Sequence, residues 1–228
     1  MSKLTGDQPA PHRRQRRDAI ENRKRILQAA RQLFATEGVE ATSMNEIAQV
    51  AQVGAGTLYR SFADKGALGE ALLTDAITAF WEQVDRTIHP EASESALDQL
   101  DWFLDTLLQL TETHLALFTL ALELAELPQQ KPYQNPFYPA LHHNICQLLA
   151  KAVAQGETSD LDVSFTADAI LSSVNPALIE FQLRIRTFSR ERIMSGIRHL
   201  YIGGLRVRTE LKTGTGNEGQ DPPRSFAL

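Results

Sequence analysis

The chain has 228 residues, of which 43% are hydrophobic, and this length allows two domains with separate cores. No apolar run approaches the roughly 20 residues that a membrane span needs, and the charged N-terminus is not followed by the apolar segment of a secretory signal. The single cysteine, Cys146, excludes an intrachain disulfide and a multi-cysteine metal site. These features predict a cytoplasmic protein with no membrane partner.

Charge is divided unevenly along the chain, although the net charge is only −5. Residues 1–70 have a balance of +3, residues 71–180 one of −13, and residues 181–228 one of +5. An acidic middle is repelled by phosphate, whereas a basic N-terminal end can face it. The asymmetry therefore predicts two roles on one chain.

The predicted elements are helical throughout. Residues 1–17 are polar and basic and are expected to form a disordered arm, and the first helix begins near Asp18 and ends before Gly38. The arginines at positions 13, 14, 16 and 17 either track the minor groove of DNA or stay solvated and raise affinity without sequence preference. Further helices are predicted at 65–88, 94–112, 114–127, 136–155, 160–186 and 189–208, followed by a flexible tail over 211–228. No strand or hairpin pattern is recognised, so the fold class is all-α.

Two short helical patterns separated by a tight turn lie between Thr42 and Lys65. Ser43 and Glu46 have the spacing of a capping box, which starts the first helix. Residues 51–54 supply the turn, where Gly54 or its neighbour adopts an unusual backbone conformation, and the second helix runs over 55–62. Small residues let the two helices cross closely, as a helix-turn-helix requires. The alternative is a pair of amphipathic helices used only for packing.

The second of these helices presents polar groups outward when Leu58 and Phe62 point inward. A hydroxyl, a phenol and a guanidinium are groups that reach phosphates and base edges in a major groove. Helix N-termini favour phosphate, small residues allow close approach, and a lysine on the flank can contact the DNA backbone. The predicted DNA contacts are Thr42, Ser43, Gly54, Ala55, Thr57, Tyr59, Arg60 and Lys65.

This segment resembles the N-terminal signature of TetR-family regulators. The resemblance lies in Thr42-Ser43-Met44-Asn45-Glu46-Ile47-Ala48, Ala51-Gln52-Val53, Gly56-Thr57-Leu58-Tyr59-Arg60-Ser61-Phe62 and Lys65. It implies a homodimer with a three-helix DNA-binding domain, here over 18–64, and a larger helical domain over 65–210 that binds an effector and dimerises. It also implies DNA contacts at Thr42, Thr57, Tyr59 and Lys65. Gln52 stands where the family usually has Gly, and Gly54 where a capping residue is common, so the base contacts stay open.

The larger domain is rich in aromatic residues that either line a ligand cavity or form plain core. Polar groups on otherwise apolar helices are further candidates, and the kink expected at Pro176 inside the long helix either exposes backbone groups to a ligand or only shapes the helix. The candidate effector pocket contains Trp81, Trp102, Phe103, His114, Phe118, His142, Asn175 and Gln182. His142, His143 and Cys146 raise metal binding as a minor option, but two ligands on one face are too few, so no metal site is predicted.

The last two predicted helices each carry an apolar stripe. The first stripe contains Ile170, Leu171, Val174, Leu178, Phe181 and Ile185. The second contains Ile193, Ile197, Leu200, Tyr201 and Leu205, with Gly196, Gly203 and Gly204 permitting close approach. Such faces predict a homodimer through a four-helix contact, because a monomer would leave a large apolar patch exposed.

Together these patterns predict a sequence-specific regulator that binds a double-stranded DNA operator. By resemblance it is expected to be a repressor, released by a small and largely apolar effector. The alternative is a DNA-localised interaction protein whose helical domain binds a protein partner. No catalytic set of residues and no cofactor signature is recognised, so an enzyme and a cofactor are not expected.

Overall fold

The computed structural model describes residues 11–88, 94–123 and 137–207. Within these ranges the chain is helical and contains no strand, only an isolated bridge between Thr158 and Arg206. The predicted all-α fold class is confirmed. Residues 1–10 of the predicted arm and the predicted tail over 211–228 lie outside the described residues.

The described helices are numbered in chain order. They are α1 (Pro11–Thr36), α2 (Met44–Val50), α3 (Ala55–Ser61), α4 (Lys65–Thr87), α5 (Ala96–Thr113), α6 (Leu115–Glu123), α7 (Phe137–Ala154), α8 (Val163–Ser173), α9 (Pro176–Glu180) and α10 (Arg190–Ile197). Two π-helical turns extend this series, at Phe181–Ile185 after α9 and at Arg198–Gly203 after α10.

The first helix begins at Pro11, so the prediction of a disordered arm is wrong for residues 11–17. Proline suits the first helical turn, where its missing N–H would have had no partner, and no glycine follows before Arg17 to break the helix. The other end agrees with the prediction, because Gly38 has a φ of 88°. A left-handed glycine immediately past the last turn is a common way for a helix to end.

The predicted helix over 160–186 is wrong as a continuous element, because α8 ends at Ser173 and α9 begins at Pro176. The proline ring disfavours helical backbone at the preceding residue, and Asn175 is accordingly extended, with φ −60° and ψ 132°. Its side-chain oxygen accepts a hydrogen bond from the Ala177 amide, so Asn175 caps α9. The break predicted between the helices over 160–186 and 189–208 is present at Thr187, which has a φ of 53°.

Two hydrophobic cores organise the chain. The N-terminal core joins α1, α2 and α3 around Ile26, Ile47 and Leu58, which are fully buried, and it includes Leu68 and Leu72 from the start of α4. The larger core joins the end of α4 to α5, α7, α8 and the last helices. Helix α4 therefore belongs to both cores, and the predicted domain boundary at residue 65 lies at its first residue.

A row of arginines connects the last helix to the acidic α5. Arg190 lies 2.9 Å from Asp105, Arg198 lies 2.7 Å from Asp101, and Arg206 lies 2.6 Å from Asp98. Arg190 and Arg198 are about two helical turns apart, and Arg206 follows the end of the last helix. Part of the acidic excess of residues 71–180 is thus paired with the basic end of the chain. Across the described ranges, no helix combines the length and apolar character of a membrane span.

Candidate nucleic-acid interface

The start of α2 is fixed by the predicted capping box. The Glu46 amide donates to the Ser43 hydroxyl at 3.3 Å, and the Ser43 amide donates to the Glu46 carboxylate at 2.7 Å. The hydrogen bonds from Ser43 hold the pKa of Glu46 below its ordinary value. Because the hydroxyl of Ser43 also donates to this carboxylate, the cap is closed within the chain. Ser43 remains exposed at the surface, and its DNA contact stays a prediction.

The turn between α2 and α3 has its unusual backbone at Gln52, not at Gly54. Gln52 has a φ of 54°, whereas Gly54 is extended with φ −67° and ψ 146° and serves as the N-cap of α3. The Val53 amide donates to the Ala48 carbonyl at 3.0 Å and closes the end of α2. A left-handed residue at this position explains why glycine suits it, and the chain carries glutamine there instead.

The outer surface of α3 carries several of the side chains predicted to contact DNA. Tyr59 is 50% exposed and Arg60 is exposed, while Leu58 is fully buried against α1 and α2. The Arg60 guanidinium folds back onto its own helix, donating to the Gly56 carbonyl at 3.1 Å and the Thr57 hydroxyl at 3.3 Å. These are exposed, neutral acceptors, so a phosphate or a guanine edge can replace them. The surface thus combines a phenol, a guanidinium and a half-buried hydroxyl on one turn and a half of helix.

The beginning of α3 carries no large side chain. Gly54, Ala55 and Gly56 are all exposed, and a Cβ added at either glycine would meet no atom within 4 Å. The N-cap Gly54 supplies no side-chain acceptor to the first turn. Since neither glycine is needed for packing inside the chain, their small size leaves space for something that approaches from outside.

Thr42 and Lys65 lie at the starts of α2 and α4, and their polar groups are bonded within the chain. Thr42 is only 1% exposed, and its hydroxyl donates to the Gly38 carbonyl at 2.8 Å, so it cannot reach a phosphate in this conformation. The Lys65 ammonium donates to main-chain carbonyls of the loop before α2 rather than pointing to solvent. In this conformation both residues hold the α1–α2 loop, and their DNA contacts stay predictions.

Arg23 is a residue that the sequence analysis did not connect with the site. Its guanidinium lies 4.2 Å from the centre of the Phe62 ring and donates to the Ser61 carbonyl at 3.3 Å. This contact ties α1 to the last turn of α3 through a cation–π interaction and a helix-end carbonyl. Its position on the polar side of α1 gave no signal of this partner, which lies far along the chain.

The predicted effector residues do not form one cluster. Trp81 and Phe103 meet Phe80 and Phe137 in an aromatic cluster with ring centres 4.9 to 6.3 Å apart, and Phe118 stacks on Phe137 at 6.5 Å. Phe103 is fully buried, so the rings fill the space between α4, α5 and α7. For Phe103 the interpretation as plain core is therefore the better one in this conformation.

The remaining candidates lie elsewhere. Trp102 borders a shallow surface pocket with Ile88 and Ser95, and Asn175 is used as a helix cap. His114 ends α5, where burial and, to a smaller extent, the nearby Arg31 lower its pKa. The Gln182 side-chain oxygen is buried and finds no hydrogen-bond partner within the described part of the chain.

His142 belongs to the contact between α7 and α8. Its Nε2 lies 3.2 Å from the Ser164 carbonyl and 3.4 Å from the Asp168 carboxylate, and its Nδ1 lies 3.6 Å from the Cys146 sulfur. Burial and the nearby Asp168 and Asp162 raise the pKa of the Cys146 thiol, which disfavours a thiolate ligand. Among residues 11–88, 94–123 and 137–207, no group of three ligands could hold a metal ion. His143 is exposed.

The N-terminal fold and its exposed α3 define the class of helix-turn-helix DNA-binding regulators. The family model described as bacterial regulatory proteins of the tetR family matches residues 26–72. A helix-turn-helix transcriptional regulator of Staphylococcus aureus strain MRSA252 is 32% identical over 192 residues, covering 82% of this chain and 96% of that protein. A counterpart in strain bovine RF122 is 32% identical over 189 residues, with the same coverage. The chain belongs to the TetR family of transcriptional regulators.

Solved structures agree on the fold. The fatty acid degradation regulator FadR of Bacillus halodurans is 20% identical with a TM-score of 0.59, covering 89% of this chain and 100% of that one. A γ-butyrolactone receptor described as ArpA-like is 24% identical with a TM-score of 0.53, covering 84% and 92%. At this level of sequence identity the two structures show a shared fold, and their coverage includes both cores of this chain. The relatives are regulators, and this chain is a DNA-binding regulator rather than an enzyme.

Proposed function

We propose that the protein is a cytoplasmic repressor that binds a pseudo-palindromic operator as a homodimer and leaves it when a small, largely apolar effector binds. The observation that carries the operator claim is the bare, exposed start of α3 next to Tyr59 and Arg60. Selection of bound DNA from a random library tests it. The proposal expects two half-sites about 10 base pairs apart, or a multiple of that spacing. Recovery of no common sequence would contradict it.

The glycine at position 56 offers a sharper test of the same surface. Glycine inside a helix is less stable than alanine by about 0.5–1 kcal/mol, so Gly56→Ala should stabilise the folded protein. The new methyl group meets nothing inside the chain, but it occupies space that the DNA backbone would enter. The expected result is a higher melting temperature together with weaker operator binding. Stabilisation with unchanged affinity would mean that this space is not used by DNA.

The proposed dimer contact rests on the exposed parts of the two apolar stripes. Ile170, Leu171 and Ile197 are buried within the chain, but Ile185 and Leu200 are 71% and 66% exposed. The Tyr201 hydroxyl donates to the Ala169 carbonyl, which places the last helix beside α8. The terminal face is defined as the exposed residues Leu178, Phe181, Ile185, Gly196, Leu200, Gly203 and Gly204.

The glycines of the terminal face support a partner rather than an internal use. A Cβ at Gly196 would meet nothing within 4 Å, and at Gly203 it would meet only one carbonyl, at 3.6 Å. Three glycines in an exposed helix destabilise it without any packing gain inside the chain. Close approach of a second helix is the compensating gain that a two-fold dimer supplies.

Sedimentation of a Leu200→Glu variant tests the dimer contact. A buried, unpaired carboxylate would be introduced into the apolar contact of each subunit, so a monomer is expected at concentrations where the wild type is dimeric. Ile20→Glu is the matched control, because Ile20 is an exposed apolar residue on α1, outside the terminal face. A dimeric Leu200→Glu protein would place the contact elsewhere.

The proposed effector site is the aromatic cluster between α4, α5 and α7. Its position matters because Phe80 and Trp81 lie on α4, whose first turns belong to the DNA-binding core. An effector that separates these rings would displace α4 and so change the distance between the two reading helices of a dimer. Its effect is limited by its differential affinity for the two arrangements.

Tryptophan fluorescence can locate the effector. The chain has two tryptophans, so Trp102→Phe leaves Trp81 as the reporter of the aromatic cluster. Acyl chains and lactones are the first compounds to screen, given the names of the two structural relatives. A compound that releases the operator is expected to shift the Trp81 emission. Release without such a shift would place the effector site elsewhere.

A further inference from the structure

Lys65 is the first residue of α4, and its ammonium is enclosed by the loop between α1 and α2. The Nζ atom lies 2.7 Å from the Val39 carbonyl oxygen, 3.0 Å from that of Glu40 and 3.1 Å from that of Thr42. A lysine ammonium has three donors, and here each has a main-chain acceptor. No donor is left for a phosphate unless one of these bonds is given up.

The loop that Lys65 holds is the one that sets the start of α2. Thr42 directly precedes the N-cap Ser43, and the Thr42 side chain turns back to the Gly38 carbonyl. The left-handed Gly38 ends α1 on the other side of the loop. The three carbonyls therefore converge because both ends of the loop are fixed. They attract a cation, and among the residues that the structure describes no carboxylate forms an ion pair with Lys65.

We infer that Lys65 is a positioning residue that joins the first turn of the interdomain helix α4 to the α1–α2 loop, and so holds α2 and α3 in the orientation that reads DNA. The three hydrogen bonds from Lys65 to the loop are called the latch. Because α4 extends into the larger core, the latch is the polar link by which the start of α2 follows movement of α4. The inference rests on the DNA-reading role of α3, and it removes Lys65 from the set of phosphate contacts. Charge-assisted hydrogen bonds give the latch its strength.

The dependence of DNA binding on salt separates a positioning residue from a phosphate contact. Each phosphate contact contributes about 0.9 to the slope of log affinity against log salt concentration. Lys65→Met keeps the length of the side chain and removes the donors. The expected result, on the DNA site selected from the random library, is an affinity loss of about tenfold with an unchanged slope. Arg60→Met is the control, because it should lower both the affinity and the slope.

The outcomes are distinguishable. A slope reduced by about 0.9 per subunit in Lys65→Met, or an unchanged affinity, would overturn the latch. An unchanged slope in Arg60→Met would instead count against the proposed reading surface and leave the latch to be judged on its own result. Hydrogen exchange of the amides at residues 40–46 should become faster in Lys65→Met, which a pure phosphate contact would not cause.

Reductive methylation of the unmodified protein decides the question if Lys65→Met does not fold. Lys24 is exposed on α1 and provides the internal reference for a reactive lysine. With its three donors engaged, Lys65 should be methylated several-fold more slowly than Lys24 in the DNA-free protein. Equal rates would mean that the ammonium is free, and the latch would be rejected.

Discussion

Replacing Gln52 by glycine should stabilise the protein, although glycine is usually destabilising. An L-residue in the left-handed region loses about 1–2 kcal/mol relative to a right-handed one, and Gln52 has a φ of 54°. Glycine avoids this strain but loses roughly 0.5–1 kcal/mol more backbone entropy on folding. The side chain of Gln52 is exposed, so little packing is lost. The difference predicts a gain of about 0.5–1 kcal/mol in the free energy of unfolding.

Urea unfolding followed by circular dichroism measures this gain. Gln28→Gly is the matched control, because Gln28 is exposed in the middle of α1 and has ordinary helical backbone. The same chemical change should there destabilise the protein by about 1 kcal/mol. Opposite signs at the two positions would support the turn geometry. Destabilisation by Gln52→Gly would refute the left-handed assignment on which the description of the turn rests.

Three further predictions concern the cores and the junction of the domains. Gly38→Ala should destabilise the protein by about 1–2 kcal/mol, because Gly38 has a φ of 88° and alanine would be strained there. Leu58→Ala should cost about 2–5 kcal/mol and abolish operator binding, because Leu58 is fully buried beneath the reading surface. His114 has a lowered pKa, so the folded state binds its proton less readily than the unfolded state. Relative to His114→Gln, the wild type should lose stability as the pH falls through the ordinary value of 6.5.

Each of these has a clear contrary result. Unchanged stability in Gly38→Ala would mean that α1 ends differently, and a small loss in Leu58→Ala would mean that the N-terminal core is loosely packed. For His114, denaturant unfolding is compared between about pH 7.5 and pH 5.5 in both proteins. A constant difference between wild type and His114→Gln would show that burial beside Arg31 does not affect protonation.

Local rules made much of the DNA-binding unit predictable. The capping box at Ser43 and Glu46 and the helix end at Gly38 each depend on residues within one or two turns of each other. Such short-range patterns predict backbone geometry directly. The helical extension from Pro11 was missed because the composition of the segment, polar and rich in arginine, is shared by disordered arms and solvated helices.

Contacts between distant segments were not predictable in the same way. Lys65 and Thr42 are ordinary polar residues in sequence, and only the folded loop shows that their donors point inward. The apolar stripes had a similar ambiguity, because Ile170 and Ile185 share a periodic pattern while one is buried and the other exposed. Periodicity identifies a face but not the surface that covers it. The arginines of the last helix likewise gave no sign that α5 supplies their partners.

The central claim is that the exposed surface of α3 reads DNA. The most direct measurement replaces Tyr59 and Arg60 together with alanine and determines affinity for the selected operator at fixed salt concentration. Both side chains are exposed, so the double variant should remain folded and dimeric. The double variant is expected to lose its preference for the operator over unrelated DNA, because base contacts carry the sequence specificity. Unchanged operator affinity in a folded dimer would contradict it.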